Sequence, residues 1–204
     1  MVGQEIIQIK PNQLENYVVV IDSKEIDLVS ETFIKVCKKY SNKFKTSAIV
    51  GSNDPGGQVV NKKTRNADIW PLGNNYDDVL DVHWAQYFCN QLKKCFQYYA
   101  HLKVKDYMDL KIQDVQILRY PINGHYAVHY DHHNLFPRTL SFIIFLNDDY
   151  EGGDLQFLFP DETNIFNVKK RKGRIVIFPS NFLFRHRIMP VTKGERYSLV
   201  AWMD

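Results

Sequence analysis

The sequence is short of cysteine, of net charge and of long apolar runs, and each shortage excludes a class of protein. Its 204 residues include only three cysteines, an odd number without the paired spacing of a zinc or iron–sulfur site. We interpret them as reduced, mostly buried thiols of a cytoplasmic protein. The formal net charge of +3 gives no reason to expect a nucleic-acid or a membrane partner.

Targeting and membrane-spanning signals are also missing. No stretch approaches the roughly 18 apolar residues of a membrane-spanning helix. The first ten residues, MVGQEIIQIK, have neither an apolar core nor a small-residue cleavage site, so no signal peptide is expected. What is present is ordinary globular composition, with 45% hydrophobic residues, and a length that suits a single domain over residues 1–204.

The part up to about residue 112 has helical patterning. Asp22 or Ser23 can cap a first helix, and the apolar residues that follow recur at helical spacing. A second helix is predicted from about Asp77 to about Leu102, with an aromatic stripe typical of a face packed against a sheet. The Gly-, Asn- and Pro-rich segment 51–76 between them is interpreted as a mobile lid over a functional site.

From residue 113 the pattern changes to short β-type runs separated by turn residues. The runs are DVQILRY, HYAVHYD, RTLSFIIFLN, GGDLQFLF, GRIVIFP, FLFRHRI and ERYSLVAW. Helices followed by many short strands indicate the α+β class, with a jelly roll or sandwich over about 113–204. The basic run VKKRKGR (168–174) is interpreted as a solvated turn between two of these strands.

Histidine is concentrated in RYPINGHYAVHYDHHN (119–134), which holds four of the seven histidines. If HYAVHYD is a regular strand, His129 and Asp131 point to one face and Tyr126 to the other. The two could bind one metal ion, or they could simply be a surface pair on a strand. His125 shares their face but lies more than about 10 Å along the strand, so it is set aside.

A third ligand has to come from elsewhere, because His132 and His133 fall where the strand should end. His186, in FRHRIMP, is the only histidine of the C-terminal part. Two imidazoles and one carboxylate on one face form the facial triad of non-haem Fe(II) oxygenases, which leaves positions open for substrate and dioxygen.

Arginine at an inward-facing position of the last strand points to an anion. In GERYSLVAW, Arg196, Ser198, Val200 and Trp202 share a face if the segment is extended. An unpaired buried charge is costly, so Arg196 needs a partner. That partner could be an internal Asp or Glu, or the carboxylate of a small bound acid, which a guanidinium holds through two hydrogen bonds.

Four blocks carry a resemblance to a known family: YPINGHYAVHYD, RTLSFIIFLNDDYEGGDLQF, KGRIVIFPSN and HRIMPVTKGERYSLVAW. Together they resemble the 2-oxoglutarate- and Fe(II)-dependent oxygenases, most closely the prolyl 4-hydroxylase-like branch. The resemblance is strong over about 114–203 and loose before it. It implies a double-stranded β-helix, a cupin-like jelly roll, with N-terminal helices packed on the major sheet.

The resemblance also implies roles for individual residues. His129, Asp131 and His186 would bind Fe(II) as the catalytic and metal-binding residues. Arg196 would bind the 5-carboxylate of 2-oxoglutarate, with the Tyr120 hydroxyl as a second donor. O2 would be the other cosubstrate and ascorbate a candidate requirement.

The substrate side is implied by further matches. TRNADIW resembles the substrate-covering loop of the oxygen-sensing prolyl hydroxylases, which would put Arg65 near a proline-containing protein or peptide. Tyr126, Arg138 and Trp202 match residues that line the substrate. Trp202 also stands where nucleic-acid-repairing relatives have a second arginine, which argues against a nucleic-acid substrate.

Two positions depart from the family pattern. His125 replaces a frequent glutamine, and Phe145 stands where the oxygen sensors have a tyrosine that contacts 2-oxoglutarate; Ser198 could take over that contact. The predicted function is prolyl hydroxylation with release of succinate and CO2. The alternatives are the same chemistry on a small-molecule or non-prolyl substrate, and a non-catalytic jelly-roll binding module.

Overall fold

The computed structural model describes residues 14–50, 58–104, 109–135, 137–158 and 165–204. Its two long helices within these ranges are α1 (Lys24–Lys39) and α2 (Val79–Tyr99), and α2 continues as a π-helical segment (Ala100–Val104). Short 3-10 turns lie at Glu15–Tyr17, Ser41–Lys43 and Phe182–Phe184. In the described part of the chain no helix combines the length and the apolar character needed to cross a bilayer.

Side-chain caps decide where both helices begin. Of the two predicted caps for α1, Ser23 is the one used, and its Oγ accepts a hydrogen bond from the Ile26 amide at 3.2 Å. The Asp78 carboxylate caps α2 by accepting from the amides of Leu80 and Asp81. These contacts satisfy amide groups that have no partner within the helix. The second helix therefore starts within two residues of its predicted position.

The strands of the described residues are short and mostly antiparallel. In chain order they are β1 (Val19–Asp22), β2 (Lys45–Thr46), β3 (Ile49–Val50), β4 (Gln58–Val59), β5 (Arg65–Asn66), β6 (Asp68–Pro71), β7 (Ile112–Tyr120), β8 (His125–His129), β9 (Leu140–Phe145), β10 (Glu151–Gly152), β11 (Leu155–Leu158), β12 (Ile165–Val168), β13 (Arg174–Pro179), β14 (Arg185–Ile188), β15 (Val191–Lys193) and β16 (Arg196–Met203).

Two sheets form the main body. The major sheet has the order β1-β13-β9-β16-β7-β6-β2, and the minor sheet has the order β12-β11-β14-β8-β5. Two small pairs, β3-β4 and β10-β15, complete the strands of the described ranges. This arrangement confirms the predicted α+β class and is that of a double-stranded β-helix.

Alternation along the central strands divides the core into two layers. On β9, Phe142 and Ile144 pack with α1 and α2 on the outer face of the major sheet. Ile143 and Phe145 point the other way, towards side chains of the minor sheet. A strand buried on both faces is expected to be apolar throughout, as LSFIIF nearly is. The helices therefore pack on the major sheet as predicted, and the space between the sheets is left for a site.

The N-terminal part is less purely helical than predicted. β1 pairs antiparallel with β13 and covers that edge of the major sheet, while β6 pairs with β7 near its other edge. The run VVID is only four residues long and lies directly before the cap of α1. Its strand conformation therefore depends on pairing with the distant strand β13. β1 is itself the edge strand of the major sheet, and its length of only four residues limits the unpaired edge that could associate with another chain.

The segment predicted to be a mobile lid is partly sheet. Residues 51–57 lie outside the described residues, but Arg65 and Asn66 form β5 and pair with Tyr126 and His125 of β8. β6 follows directly as part of the major sheet. Backbone pairing thus fixes the second half of the predicted lid against the jelly roll.

The basic run at 169–174 lies between β12 and β13, as the sequence indicated. Arg171 and Arg174 both pair with Asp22, at 2.7 and 2.8 Å, and Lys172 pairs with Asp27 at 3.3 Å. These cations are therefore engaged with acidic side chains beside α1.

The three cysteines are free thiols, with Cys37 buried and the other two half-buried. Burial raises the pKa of the Cys37 thiol to about 12 and that of Cys95 to about 11. Thiols with such raised pKa values are poor nucleophiles and poor metal ligands at neutral pH, which agrees with their interpretation as core residues.

Candidate active site

The end of β8 and the middle of β14 bring two imidazoles together. His129 and His186 are direct partners across the β8–β14 pairing, and their ring centroids lie 4.3 Å apart. Asp131 follows β8 by two residues, and its amide donates to the Ser180 carbonyl at 3.1 Å. His129 Nε2 lies 3.5 Å from Asp131 Oδ1, and His186 Nε2 lies 3.7 Å from Asp131 Oδ2. One ligand atom from each residue lies within 4.8 Å of the other two.

Both imidazoles are oriented by hydrogen bonds to main-chain carbonyls. His129 Nδ1 donates to the Ala127 carbonyl at 2.8 Å, and His186 Nδ1 donates to the Phe184 carbonyl at 3.1 Å. Because a carbonyl only accepts, each Nδ1 carries the proton and each Nε2 keeps its lone pair. The lone pairs of both residues therefore face the shared point, as metal-binding histidines require.

A serine pair, which the sequence analysis did not identify, holds the carboxylate. Ser141 Oγ donates to Asp131 Oδ2 at 2.7 Å, and it is also 2.7 Å from Ser180 Oγ. Both serines are 1% exposed. The available signal was a single hydroxyl within the otherwise apolar run LSFIIF, since a buried hydroxyl needs a hydrogen-bond partner.

The protonation states suit metal binding. Burial and the neighbouring His129 together lower the pKa of His186 to about 4, against the opposing effects of the Asp131 charge and the Phe184 carbonyl. Burial would raise the pKa of Asp131, but the two histidines and the Ser141 hydroxyl outweigh it and hold that pKa well below its ordinary range. At neutral pH the site thus offers a neutral His186 and an ionised carboxylate.

The donor set fits an open Fe(II) site. Two imidazoles and one carboxylate converge on one point from one side, which is the facial arrangement of non-haem iron oxygenases. Three protein ligands leave the remaining coordination positions to small molecules in the adjoining cavity. The alternative that His129 and Asp131 are simply a solvated surface pair on a strand does not fit, because the side chain of Asp131 is only 9% exposed.

Arg196 lies buried in the same cavity with most of its hydrogen-bonding capacity unused. Its Nη1 donates to Ser198 Oγ at 3.1 Å, whereas Nε and Nη2 are buried and have no hydrogen-bond partner in the described part of the chain. The guanidinium carbon lies 4.9 Å from the ring centroid of Tyr120 and 5.2 Å from that of Phe145. Gly153 has a φ of +63° and passes so close that an added Cβ would lie 3.2 Å from Arg196 Cδ.

The anion that Arg196 needs is not supplied by the fold. Among the described residues, no carboxylate lies within ion-pair distance of its guanidinium, so the internal-partner alternative has no support there. A buried guanidinium without a counter-ion is costly unless a ligand supplies one. The geometry is therefore that of a receptor for a small acid.

A cavity of about 230 Å³ connects these groups. Every residue that the sequence analysis assigned to a site lines it: His129, Asp131, His186, Arg196, Tyr120, Arg65, Tyr126, Arg138 and Trp202. Ser198 and Val200 line it beside Arg196, as the alternation of an extended β16 predicted. Its volume is small for a ligand cavity, which suits a small acid.

The predicted orientation of Tyr126 was wrong. Regular alternation put it opposite His129, but the two rings stack with their centroids 3.5 Å apart. The pairing of β8 with β14 slips between Tyr126 and His129, because His186 pairs with His129 while Ile188 pairs with Tyr126. One extra residue on β8 is a bulge, which turns both side chains to the same face.

The remaining histidines of the 119–134 stretch do not join the site. His125 bonds through its two ring nitrogens to the carbonyls of Asn123 and Lys63. His132 Nδ1 donates to the Arg138 carbonyl at 3.0 Å, so it supports a residue of the cavity wall. Setting these two residues aside as ligands agrees with their positions.

Sequence comparison finds similar proteins for the C-terminal part of the chain. A model of the 2OG-Fe(II) oxygenase superfamily matches residues 115–204. A PKHD-type hydroxylase of Synechococcus sp. (strain JA-2-3B'a(2-13)) is 32% identical over 80 residues, which are 38% of this chain and 34% of that protein. Prolyl 3-hydroxylase 3 of Homo sapiens is 39% identical over 66 residues, which are 32% of this chain and 9% of that protein. The chain thus spans about a third or less of the length of these relatives.

Two solved structures share the fold over nearly the whole chain. A Pseudomonas putida prolyl-4-hydroxylase matches with a TM-score of 0.68 at 17% identity, covering 94% of this chain and 95% of the other. A Trichoplax adhaerens prolyl hydroxylase, in complex with a hypoxia inducible factor peptide fragment, matches with a TM-score of 0.69 at 18% identity, covering 95% and 86%. Residues 115–204 are thus similar to the 2OG-Fe(II) oxygenase superfamily, and the fold of nearly the whole chain is similar to that of these two prolyl hydroxylase structures.

Proposed function

We propose that this chain is a 2-oxoglutarate- and Fe(II)-dependent dioxygenase that hydroxylates a prolyl residue of a protein or peptide. The reaction consumes 2-oxoglutarate, O2 and a substrate C–H bond, and it yields succinate, CO2 and the corresponding alcohol. One observation carries the proposal: three convergent metal ligands and an unpaired buried arginine share one cavity. A metal site alone would not require an unpaired buried arginine in the same cavity.

His129, Asp131 and His186 would hold the iron, and the main-chain carbonyls and Ser141 keep these ligands in place. Bound Fe(II), together with 2-oxoglutarate and O2, would supply the oxidising chemistry. Arg196 would pair with the distal carboxylate of 2-oxoglutarate through Nε and Nη2, the two nitrogens that have no partner in the fold. The phenol of Tyr120 lies against the same guanidinium and would donate beside it.

The rest of the protein would orient the reactants and exclude water. Arg65, Tyr126, Arg138 and Trp202 line the cavity and are the proposed substrate-facing residues. The relatives named as prolyl hydroxylases support a prolyl substrate, and the Trichoplax complex supports a peptide. We further propose a cytoplasmic location, supported by the free thiols, and ascorbate as a reductant that keeps the iron ferrous.

The test has two stages. Fe(II) and 2-oxoglutarate are first added to the protein without oxygen, and the weak visible absorption band of their complex is sought; His186→Ala should abolish it. Oxygen and proline-containing peptides then follow, and a 16 Da gain on the peptide with equimolar succinate is the expected result. Turnover on free amino acids alone would replace the prolyl part with the small-molecule alternative. A protein that never forms the band would be a non-catalytic binding module.

A further inference from the structure

Two arginines face the substrate side of the cavity, and one of them has no anionic partner. The guanidinium carbon of Arg65 lies 4.6 Å from the ring centroid of Tyr126. Its Nε is buried and has no hydrogen-bond partner within the described ranges. Among the described residues no carboxylate forms an ion pair with Arg65. Packing against an aromatic ring does not supply hydrogen-bond acceptors for the N–H groups of the Arg65 guanidinium.

Arg138 lies on the same wall and is only weakly neutralised. Its guanidinium carbon lies 3.7 Å from the Trp202 ring centroid, and Nη1 donates to the Asp131 carbonyl at 3.3 Å. Its one ion-pair partner in the described ranges is Asp114, 3.8 Å away with a side chain 47% exposed, and the charge of the proposed iron ligand Asp131 also acts on it. Burial lowers the pKa of Arg138 against the opposing charges of Asp131 and Asp114, and the charge of Arg65 also lowers it, so the two guanidiniums are close enough to repel each other.

The charges of the loaded site can be counted. A ferrous ion and Arg196 would carry three positive charges, and 2-oxoglutarate and Asp131 would carry three negative charges. The centre is then neutral, and Arg65, Arg138 and Asp114 remain on the substrate side with one positive charge in excess. In a partly dry cavity such an excess favours a negatively charged ligand.

We propose that the substrate presents a carboxylate to Arg65, with Arg138 beside it, so that the enzyme selects acidic substrates. This inference rests on the proposed function and names the chemical class of its substrate. A guanidinium holds a carboxylate through two parallel hydrogen bonds, which the free edge of Arg65 permits. The carboxylate belongs to an Asp or Glu near the hydroxylated proline, or it is the terminal carboxylate of a chain that ends there.

Distances restrict where that carboxylate lies. Arg65 and His129 both contact the ring of Tyr126, at 4.6 and 3.5 Å, so the guanidinium carbon of Arg65 lies no more than about 8 Å from the His129 ring. An extended peptide advances about 3.3–3.6 Å per residue. The acidic group is therefore within a few residues of the proline that reacts at the iron.

The test compares peptides that differ at one position next to proline: Glu, Gln or Lys. Two further peptides end in proline, one with a free carboxylate and one amidated, and these arms separate the two sources of the carboxylate. We expect kcat/KM for the favoured acidic peptide to exceed that for its neutral match by about tenfold or more, with the lysine peptide poorest. Arg65→Gln should bring the acidic and neutral peptides to within about twofold of each other.

Arg171→Gln is the matched control, because it removes the same charge from an exposed arginine paired with Asp22. It should keep the full acidic preference, and both variants should keep the visible band with Fe(II) and 2-oxoglutarate. Equal turnover of neutral and acidic peptides by the unaltered protein, or an acidic preference that survives in Arg65→Gln, would overturn the inference.

Peptide affinities measured by calorimetry on Mn(II)-loaded protein give a second readout that does not need turnover. A protein that forms no band fails the proposed function, whereas one that forms the band and binds neutral peptides as tightly as acidic ones fails only this inference. The two failures are therefore distinguishable.

Discussion

The ring of Tyr126 stacks on the imidazole of His129, with centroids 3.5 Å apart and planes 20° apart. The stacked phenol covers one face of a proposed iron ligand and restricts its rotation. Together with the bond from His129 Nδ1 to Ala127, it pre-orients Nε2 towards Asp131. The contact comes from a bulge in β8, and bulges are common beside active sites, where they re-aim side chains.

This contact predicts different outcomes for two changes at one position. Tyr126→Phe keeps the ring, so Mn(II) affinity should stay within about twofold of the unaltered protein. Tyr126→Ala frees the imidazole and should weaken Mn(II) binding by about tenfold, as loss of an orienting contact does in metal sites. Calorimetric titration of both variants measures the difference, and equal affinities would show that the stacking has no orienting effect.

The Ser141 hydroxyl should be needed for metal affinity although it is not a ligand. Ser141→Ala removes the bond to Asp131 Oδ2 and should lower metal affinity by about 10–100-fold. Ser30→Ala is the matched control, because Ser30 is also fully buried and bonds only to the Ile26 carbonyl within α1. Mn(II) titration should leave the Ser30 variant unchanged; an equal loss in both variants would indicate a general packing effect.

Arg196 should lower the stability of the ligand-free protein and strengthen the binding of 2-oxoglutarate. Arg196→Met removes a buried, half-unpaired cation, so the free energy of unfolding without ligands should not fall and should rise by about 1 kcal/mol. The same change should weaken 2-oxoglutarate binding by about 100-fold, because a charge-assisted pair is lost. Denaturant unfolding and the anaerobic visible band measure the two effects. A large loss of stability would mean that the guanidinium has a structural partner.

Asp81 is a buried carboxylate that serves the fold and not the site. It accepts from Trp70 Nε1 at 2.8 Å and lies 3.5 Å from Lys43 Nζ, so it joins α2 to β6 and to the turn at Ser41–Lys43. Asp81→Ala leaves Trp70 Nε1 without its acceptor and Lys43 with Asp78 alone, and it should lower the free energy of unfolding by about 1–3 kcal/mol. Denaturant unfolding measures this loss. The exposed pair of Glu31 and Lys35 offers the control, and Glu31→Ala should change nothing measurable.

Protonation of His186 should make the metal-free protein less stable in mild acid. Its pKa is about 4 when folded, against an ordinary value of 6.5, so the unfolded chain binds more protons between these pH values. Stability is therefore complete above about pH 6.5 and falls as the pH drops towards 4, by up to about 3 kcal/mol from this group. His186→Asn should flatten the pH dependence of unfolding in that window. His125→Asn, outside the site, should keep the slope of the unaltered protein.

Regular elements explain what could be predicted from the sequence. Ser23 was one of two candidate caps because a hydroxyl before a helical stripe satisfies free amides, and this depends on residues three apart. β16 is a regular strand, so period-two alternation correctly placed Arg196 and Ser198 on one inward face. The helices, the jelly roll and the grouping of His129 with Asp131 follow from such short-range patterns.

The sequence by itself determined which side chains are available for the chemistry: two imidazoles, one carboxylate and an inward-facing arginine, on strands whose period is set locally. Only the tertiary structure decided that Tyr126 joins His129, that Ser141 reaches Asp131, that β5 carries Arg65 to the cavity, and that Arg196 has no internal anion among the described residues. The physical reason is that each of these depends on a partner strand. A bulge is a mismatch between two strands, and a free charge is known only once everything packed around it has been placed.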